Sequence, residues 1–216
     1  RVYYRTQLGV FKLMNYYISD LHFGHKNIIN FDHRPYDTTE EMELDLISRW
    51  NKQVSNADHV YVLGDFLWKA GSDEWIRILN KLNGNVHLIQ GNHDCKQYST
   101  GVRKKLAEIC HYKEVTETVD GKLYRVILSH FAILSYYGSC YDNCFHLHGH
   151  THTTKEQDLV EDFAKMAKEK LENSNGNEYL NRAQMINVGC MMPYMNYTPQ
   201  TFEYLLMKYK KGETKA

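Results

Sequence analysis

Five strand-length apolar segments of this 216-residue chain each run directly into side chains that can hold a metal ion. NYYIS (15–19) leads into Asp20-Leu21-His22, HVYVL (59–63) into Gly64-Asp65, and NVHLIQ (85–90) into Gly91-Asn92-His93-Asp94. LYRVILS (123–129) ends on His130, and CFHLH (144–148) opens into Gly149-His150-Thr151-His152. All five segments are rich in β-branched or aromatic residues and read as strands. Ligand sites of α/β sheets gather beyond the carboxyl ends of strands, which is where these residues fall.

Amphipathic segments separate the strands. Residues 39–54 carry an inward stripe of Met42, Leu46, Ile47, Trp50 and Val54 behind a capping box of Thr38 and Glu41. Residues 73–82 follow Ser72 as N-cap and stop at Asn83-Gly84, and a third helix is expected over 100–109. The segments 111–119 and 122–129 form a hairpin about Asp120-Gly121. A helix over 156–172 starts from Thr153 and Glu156, with Leu159, Phe163, Met166, Ala167 and Leu171 inward. MINVGC (185–190) reads as a strand, and the tail 202–209 fits either a strand or a short helix. This order predicts a mixed sheet or a two-sheet α/β sandwich in one domain. Met14 is an alternative start, with residues 1–13 upstream of the natural chain or added to it.

Composition narrows the partners. The chain has 26 Lys+Arg against 26 Asp+Glu, a balance that argues against long nucleic acid as the main partner, because that binding rests on a basic surface. No apolar run reaches the ~18 residues of a membrane span, and no leader is recognised. Five irregularly spaced cysteines are expected as reduced thiols in the cytoplasm. The 12 histidines are in excess, and the strand ends use five of them (22, 93, 130, 150 and 152).

Asp and Asn oxygens combined with imidazole nitrogens suit Mn, Fe, Zn or Ni, whereas an all-oxygen set would suit Ca or Mg. Asp20 and His22, two residues apart on an extended segment, would face the same side and grip one ion. Gly64, Gly91 and Gly149 remove a Cβ where backbone passes close to the site. Each fragment is weak alone; five in this order are specific.

The series Asp20-x-His22, Gly64-Asp65, Gly91-Asn92-His93-Asp94, His130 and Gly149-His150-Thr151-His152 resembles the five-motif signature of the calcineurin-like metallophosphoesterase superfamily. The resemblance runs from about Tyr16 to His152 and resumes at Asn187-Val188-Gly189. It implies a four-layer α/β/β/α sandwich, two mixed β-sheets flanked by helices, holding two divalent metal ions, with Mn favoured. Carried over by motif, Asp20, His22 and His152 would bind one ion, Asn92, His130 and His150 the other, and Asp65 would bridge them. His93, supported by Asp94, would be the catalytic acid. Larger phosphatases of the superfamily often follow Gly-Asp with a second acidic residue and an Arg. Gly64-Asp65-Phe66-Leu67-Trp68 departs from that and points to the small bacterial and phage-like branch.

The implied function is hydrolysis of a phosphomonoester or phosphodiester in a small molecule such as a nucleotide. Two ions about 3.5–4 Å apart share a water, bring its pKa toward neutrality and so set hydroxide against phosphorus. His25 and Arg34 follow the first motif and are candidates for lining the pocket and clamping phosphate oxygens, with a solvated loop as the alternative. The aromatic stretches 136–141 and 191–197 are candidates for a substrate rim, with ordinary packing as the alternative. Cys140, Cys144, His146 and His148 have zinc-like spacing but sit on a strand whose alternate residues must face a core. A non-catalytic scaffold of the same fold and a DNA or RNA nuclease are the competing functions. Against the first, His93 is present and no metal position is replaced. Against the second, Arg103-Lys104-Lys105 is the longest basic block.

Overall fold

The structure is a computed structural model that describes residues 3–6, 9–174 and 179–215. A short hairpin comes first, β1 (Tyr3–Thr6) with β2 (Gly9–Lys12), forming a sheet of its own. The expectation for residues 1–13 therefore falls on a segment that is only partly described, apart from the two main sheets.

The first main sheet is built from β3 (Asn15–Ile18), β4 (His59–Val62), β5 (Asn85–Ile89), β6 (Glu108–Cys110) and β11 (Gln200–Thr201), ordered β11-β3-β4-β5-β6. β3 to β6 run parallel, and β11 closes one edge antiparallel. The second sheet holds β7 (Tyr112–Val119), β8 (Lys122–Ser129), β9 (Cys144–His148) and β10 (Met185–Asn187), ordered β10-β9-β8-β7. Here β8, β9 and β10 are parallel, and β7 pairs antiparallel with β8 across the expected hairpin.

Period-two patterning explains why the sheets stack. On β8, Tyr124, Val126 and Leu128 join the large core, as do Phe145 and Leu147 on β9. The alternate residues Ile127 and Cys144 face the other way, into a smaller cluster with Val160. Six helices among the described residues complete the fold: α1 (Lys26–Phe31), α2 (Thr39–Gln53), α3 (Ser72–Leu79), α4 (Thr100–Arg103), α5 (Lys155–Glu172) and α6 (Phe202–Lys210). α2 and α3 deliver Met42, Leu46, Trp50, Trp75 and Ile78 to the first sheet, and α5 covers the second. The result is the α/β/β/α sandwich. The sheets also meet through main chain, where Ser19 N donates to Val188 O at 2.8 Å and Ser19 bridges to Gly189.

Four local expectations change. The helix over 100–109 stops at Arg103, and 108–110 is a strand instead, with Ala107 N donating to Val86 O and Gln90 N to Cys110 O. The exposed edge of β5 needs backbone partners, and that tertiary demand overrides a local helical pattern. α3 begins at Ser72 with Gly71 as its cap, and α5 is capped by Thr154 rather than Thr153. α5 is also rotated: Gln157, Val160 and Ala167 are buried, while Leu159 is 68% and Met166 46% exposed. The expected stripe therefore holds at Phe163 and Ala167 and fails at Leu159 and Met166, because the buried face begins with the polar Gln157. The tail is helical, capped by the Thr201 hydroxyl accepting from Tyr204 N. No helix among the described residues is long and apolar enough to cross a membrane.

Candidate metal centre

The carboxyl ends of β3, β4 and β5 from one sheet and of β8 and β9 from the other open on the same end of the sandwich, and their loops deliver all the candidate ligands there. Backbone conformation does the aiming. Asp20, His22, Asp65, His150 and His152 all have positive φ, between 47° and 69°. Left-handed backbone at a non-glycine residue costs about 1–3 kcal/mol, and such strain collects at functional sites. Asp20 and His22 thus converge through a left-handed turn and not along an extended strand as the sequence reading had it. Close approach is enforced too. A Cβ on Gly91 would strike the Asp65 carboxylate, and one on Gly149 would strike Ser19 Oγ and Asp20 Oδ2.

Two ligand groups result among the described residues. Asp20, His22 and His152 bring their ligand atoms within 4.8 Å of one another, as do Asp20, Asp65 and His130. Asp20 belongs to both. Asp65 Oδ2 lies 3.5 Å from His22 Nε2 and 3.6 Å from His130 Nε2, a position between two sets of imidazoles. Asn92 Oδ1 is 2.9 Å from His130 Nε2. His150 sits beside this set, half-buried, its ring 5.1 Å from that of His130 and its Nε2 4.0 Å from Glu156.

The residues fit a divalent cation on two observations. His22 is 2% exposed, yet neither ring nitrogen has a hydrogen-bond partner, a costly state for a buried polar group. Burial first, then the neighbouring His152 and Arg34, hold that imidazole far below its ordinary pKa, so it is neutral and free to ligate. His130 Nδ1 lies 2.7 Å from Leu63 O, and a carbonyl only accepts, so in the neutral ring the proton sits there. Nε2 is then a bare acceptor facing Asn92 Oδ1 and Asp65 Oδ2, three acceptors converging on one point. Burial, with the Asp20 carboxylate nearby, pushes Asp65 above the usual carboxylate range, outweighing His130.

His93 is exposed and lines a cavity of about 520 Å³ with His22, His25, Asp65, His150 and His152. Its backbone N donates to Asp65 Oδ1 at 2.9 Å, which fixes the loop. His25 lines the same cavity and stacks flat on Trp68, ring centroids 3.7 Å apart and 3° from parallel.

Two expected site residues do other work. Asp94 does not hold the His93 ring: its buried carboxylate accepts from three backbone donors, Asp65 N at 3.0 Å, Phe66 N at 2.9 Å and Gly91 N at 2.8 Å. It ties the β4 and β5 loops together. Arg34 is no phosphate clamp. It is buried, and its guanidinium donates to Asp20 O at 2.8 Å, Leu21 O at 2.9 Å and Asp32 Oδ2. The rim candidates Met191, Met192, Tyr194 and Met195 are core residues. Cys140, Cys144, His146 and His148 form no ligand group; His146 accepts from Ile133 N at Nε2, and Cys144 donates to Tyr137 O.

Asp32 was not legible in the sequence. Its Oδ1 lies 2.7 Å from His152 Nδ1, leaving Nε2 of that ring to point at Asp20 Oδ1, 3.7 Å away. Burial opposes charge on His152, but Asp20 and Asp32 outweigh it and raise the pKa. Asn187, which the resemblance reached without giving it a role, donates its amide to Thr151, Gln157 and the His152 carbonyl. The only hint for Asp32 was proximity to a motif.

Comparison with known proteins places this geometry. The model of the calcineurin-like phosphoesterase superfamily domain matches residues 14–212. An uncharacterized protein of Methanocaldococcus jannaschii is 45% identical over 80 residues, 37% of this chain and 46% of that protein. The gene 66 protein of Mycobacterium phage L5 is 35% identical over 83 residues, 37% of this chain and 39% of that protein. The matched stretch therefore spans less than half the length of either relative. A protein of unknown function from Aquifex aeolicus superposes with a TM-score of 0.56 at 25% identity, covering 92% of this chain and 100% of that one. With the signature residues gathered at one end of the sandwich and the family model spanning nearly its whole length, the chain belongs to the calcineurin-like phosphoesterase superfamily.

Proposed function

We propose that the protein is a metal-dependent hydrolase of phosphate esters, working on a small phosphorylated molecule such as a nucleotide at a centre of two divalent ions. The observation that carries this reading is Asp65 Oδ2, poised between His22 Nε2 and His130 Nε2 at 3.5 and 3.6 Å. Asp20, His22 and His152 would hold one ion; His130, Asn92 and His150 the other; Asp65 would serve both. Two divalent ions supply a polarised phosphoryl oxygen and a water activated near neutral pH. The donor set suits Mn, Fe, Zn or Ni, and we favour Mn.

The chain's own residues perform the rest. His93 stands in the cavity next to Asn92, its ring against Trp68 and without a hydrogen bond to a side chain among the described residues, and gives a proton to the leaving oxygen. The Asp65 carboxylate accepts from His93 N and so keeps the acid in register with the centre. Asp94 holds the Asp65 and Gly91 backbones, and Asp32 keeps His152 presenting Nε2. The formal charge balance of zero supports a small substrate over long nucleic acid. Five free cysteines support a reducing, cytoplasmic compartment.

The test is elemental analysis combined with turnover. After Mn loading, two ions per chain and hydrolysis of 4-nitrophenyl esters are expected, and Asp65→Asn should lower both occupancies together. Full occupancy in Asp65→Asn would remove the bridging role. A metal-loaded protein without turnover on any ester would favour a scaffold.

A further inference from the structure

A second cavity, of about 900 Å³, opens between α5, β10 and the C-terminal end of α6. It shares no lining residue with the cavity over the metal centre, and its size suits a small organic molecule. His148 forms its inner wall. The alternation along β9 sends Phe145 and Leu147 into the core between the sheets and turns His148, like Cys144, toward α5. The ring is 1% exposed, and its Nδ1 lies 3.0 Å from Gly149 O, so the proton of the neutral ring sits on Nδ1. Nε2 is therefore a buried acceptor, and no donor reaches it among the described residues. Such a group is costly to leave unpaired and calls for a donor from an occupant. Gln157, on the same wall, is already committed: its Oε1 accepts from Thr151 and Asn187, and its Nε2 donates to Glu161. The mouth is cationic. Lys165, Lys168, Arg182, Lys210 and Lys215 line the cavity, with Glu161 and Asp162 as its carboxylates. The four lysines are exposed, whereas Val160 and Met185 are buried with His148, so the cavity runs from a positive rim past apolar walls to the inner acceptor.

We propose that this cavity is a second ligand site, taking a nucleoside diphosphate whose base amine donates to His148 Nε2 and whose phosphates meet the lysines at the mouth. Charge, shape and the inner acceptor select that chemistry together. Five cations against two carboxylates call for more than one negative charge, which a diphosphate carries. The half-buried Tyr209 ring, with Val160 and Met185, offers apolar surface to a planar base. The acceptor requires a donor on the end of the ligand that enters first. An aminopurine has one there; a fatty acid, whose inner end is a methyl group, does not. Binding is non-covalent and uses no metal ion, so the site is independent of whatever the metal centre hydrolyses.

The experiment is titration calorimetry on the full chain stripped of metal, so that the metal centre cannot hold the phosphates. ADP should bind at one site per chain. Purine riboside diphosphate, the same ligand without the base amine, should bind about tenfold more weakly. His148→Phe keeps a ring but no acceptor, so ADP should fall to the affinity of the amine-free ligand and the gap between the two should close. Lys165→Glu combined with Lys210→Glu, both at exposed positions, should weaken ADP about tenfold and leave adenosine unchanged. Ala164→Trp, which fills the cavity, should abolish binding. Nitrogen NMR reads the atom itself: the Nε2 resonance of His148 should move when ADP is added and stay in place with pyrophosphate. Absence of ADP binding to the metal-free chain overturns the proposal, as does ADP affinity unmoved by Ala164→Trp. An amine gap that survives His148→Phe overturns it too, as does dodecanoate binding more tightly than ADP. Where His148→Phe fails to fold, the Nε2 shift in the unaltered chain decides.

Discussion

His152 Nδ1 and Asp32 Oδ1 lie 2.7 Å apart, although 120 residues separate them in the chain. The contact fixes which nitrogen of His152 faces the centre, and Asp32 is itself fixed by Arg34 Nη2 at 2.8 Å, with both side chains buried. Asp32→Asn keeps an acceptor but loses the charge. Affinity for the ion held by His152 should fall about 10- to 100-fold, read by equilibrium dialysis with elemental analysis. The Arg34 guanidinium is then buried without its partner, so the metal-free variant should lose about 3–5 kcal/mol of stability in urea. Unchanged affinity would leave Asp32 a purely structural residue.

His93→Ala should retain its ions while turnover drops about 10²–10⁴-fold on an ester with a simple alcohol leaving group. The loss should shrink for 4-nitrophenolate, which departs without help. An equal loss for both leaving groups would take the proton-donor role away from His93.

Asp94→Asn separates the two roles that a carboxylate next to His93 could have. Its carboxylate accepts from Asp65, Phe66 and Gly91 backbone donors, so the variant should lose stability, by about 1–3 kcal/mol. The pH profile of kcat should keep its shape, because no bond joins Asp94 to the His93 ring. A moved acid limb would restore Asp94 to the proton-donating pair.

Acid sensitivity follows from β9. Burial pushes His146 down to about 4 and His148 down to about 3. Between those values and the ordinary histidine pKa of about 6.5 the unfolded chain binds protons that the folded one refuses, so stability falls as pH falls below about 6.5. Each ring contributes a slope of about 1.4 kcal/mol per pH unit in that window. Urea unfolding of the metal-free protein from pH 7 to pH 5 should show it, and His148→Gln should remove about half of the contribution of this pair. A flat profile would mean that these rings are protonated in the fold.

The strand frame and the ligand types were legible because both are local: short apolar runs rich in β-branched and aromatic residues announce β3, β4, β5, β8 and β9, and the Asp, Asn and His that end them declare their own chemistry. What stayed hidden depended on partners distant in sequence. Residues 108–110 read as helix until the edge of β5 claims them. Asp94 and Arg34 have site-like neighbours, but their heads turn toward backbone that other loops bring in. Asp32 becomes functional only when β9 carries His152 to it.

The five left-handed ligand positions have a consequence for the empty protein. At each of them glycine would satisfy the backbone and forfeit the chemistry, so Asp20, His22, Asp65, His150 and His152 hold the fold in local frustration. Glycine at His22, whose buried ring nitrogens have no hydrogen-bond partner, should cost the metal-free chain less stability than the metal-loaded one. This end of the sandwich is therefore a spring set against its own sequence, and the occupant of the pocket is what makes the tension worth keeping.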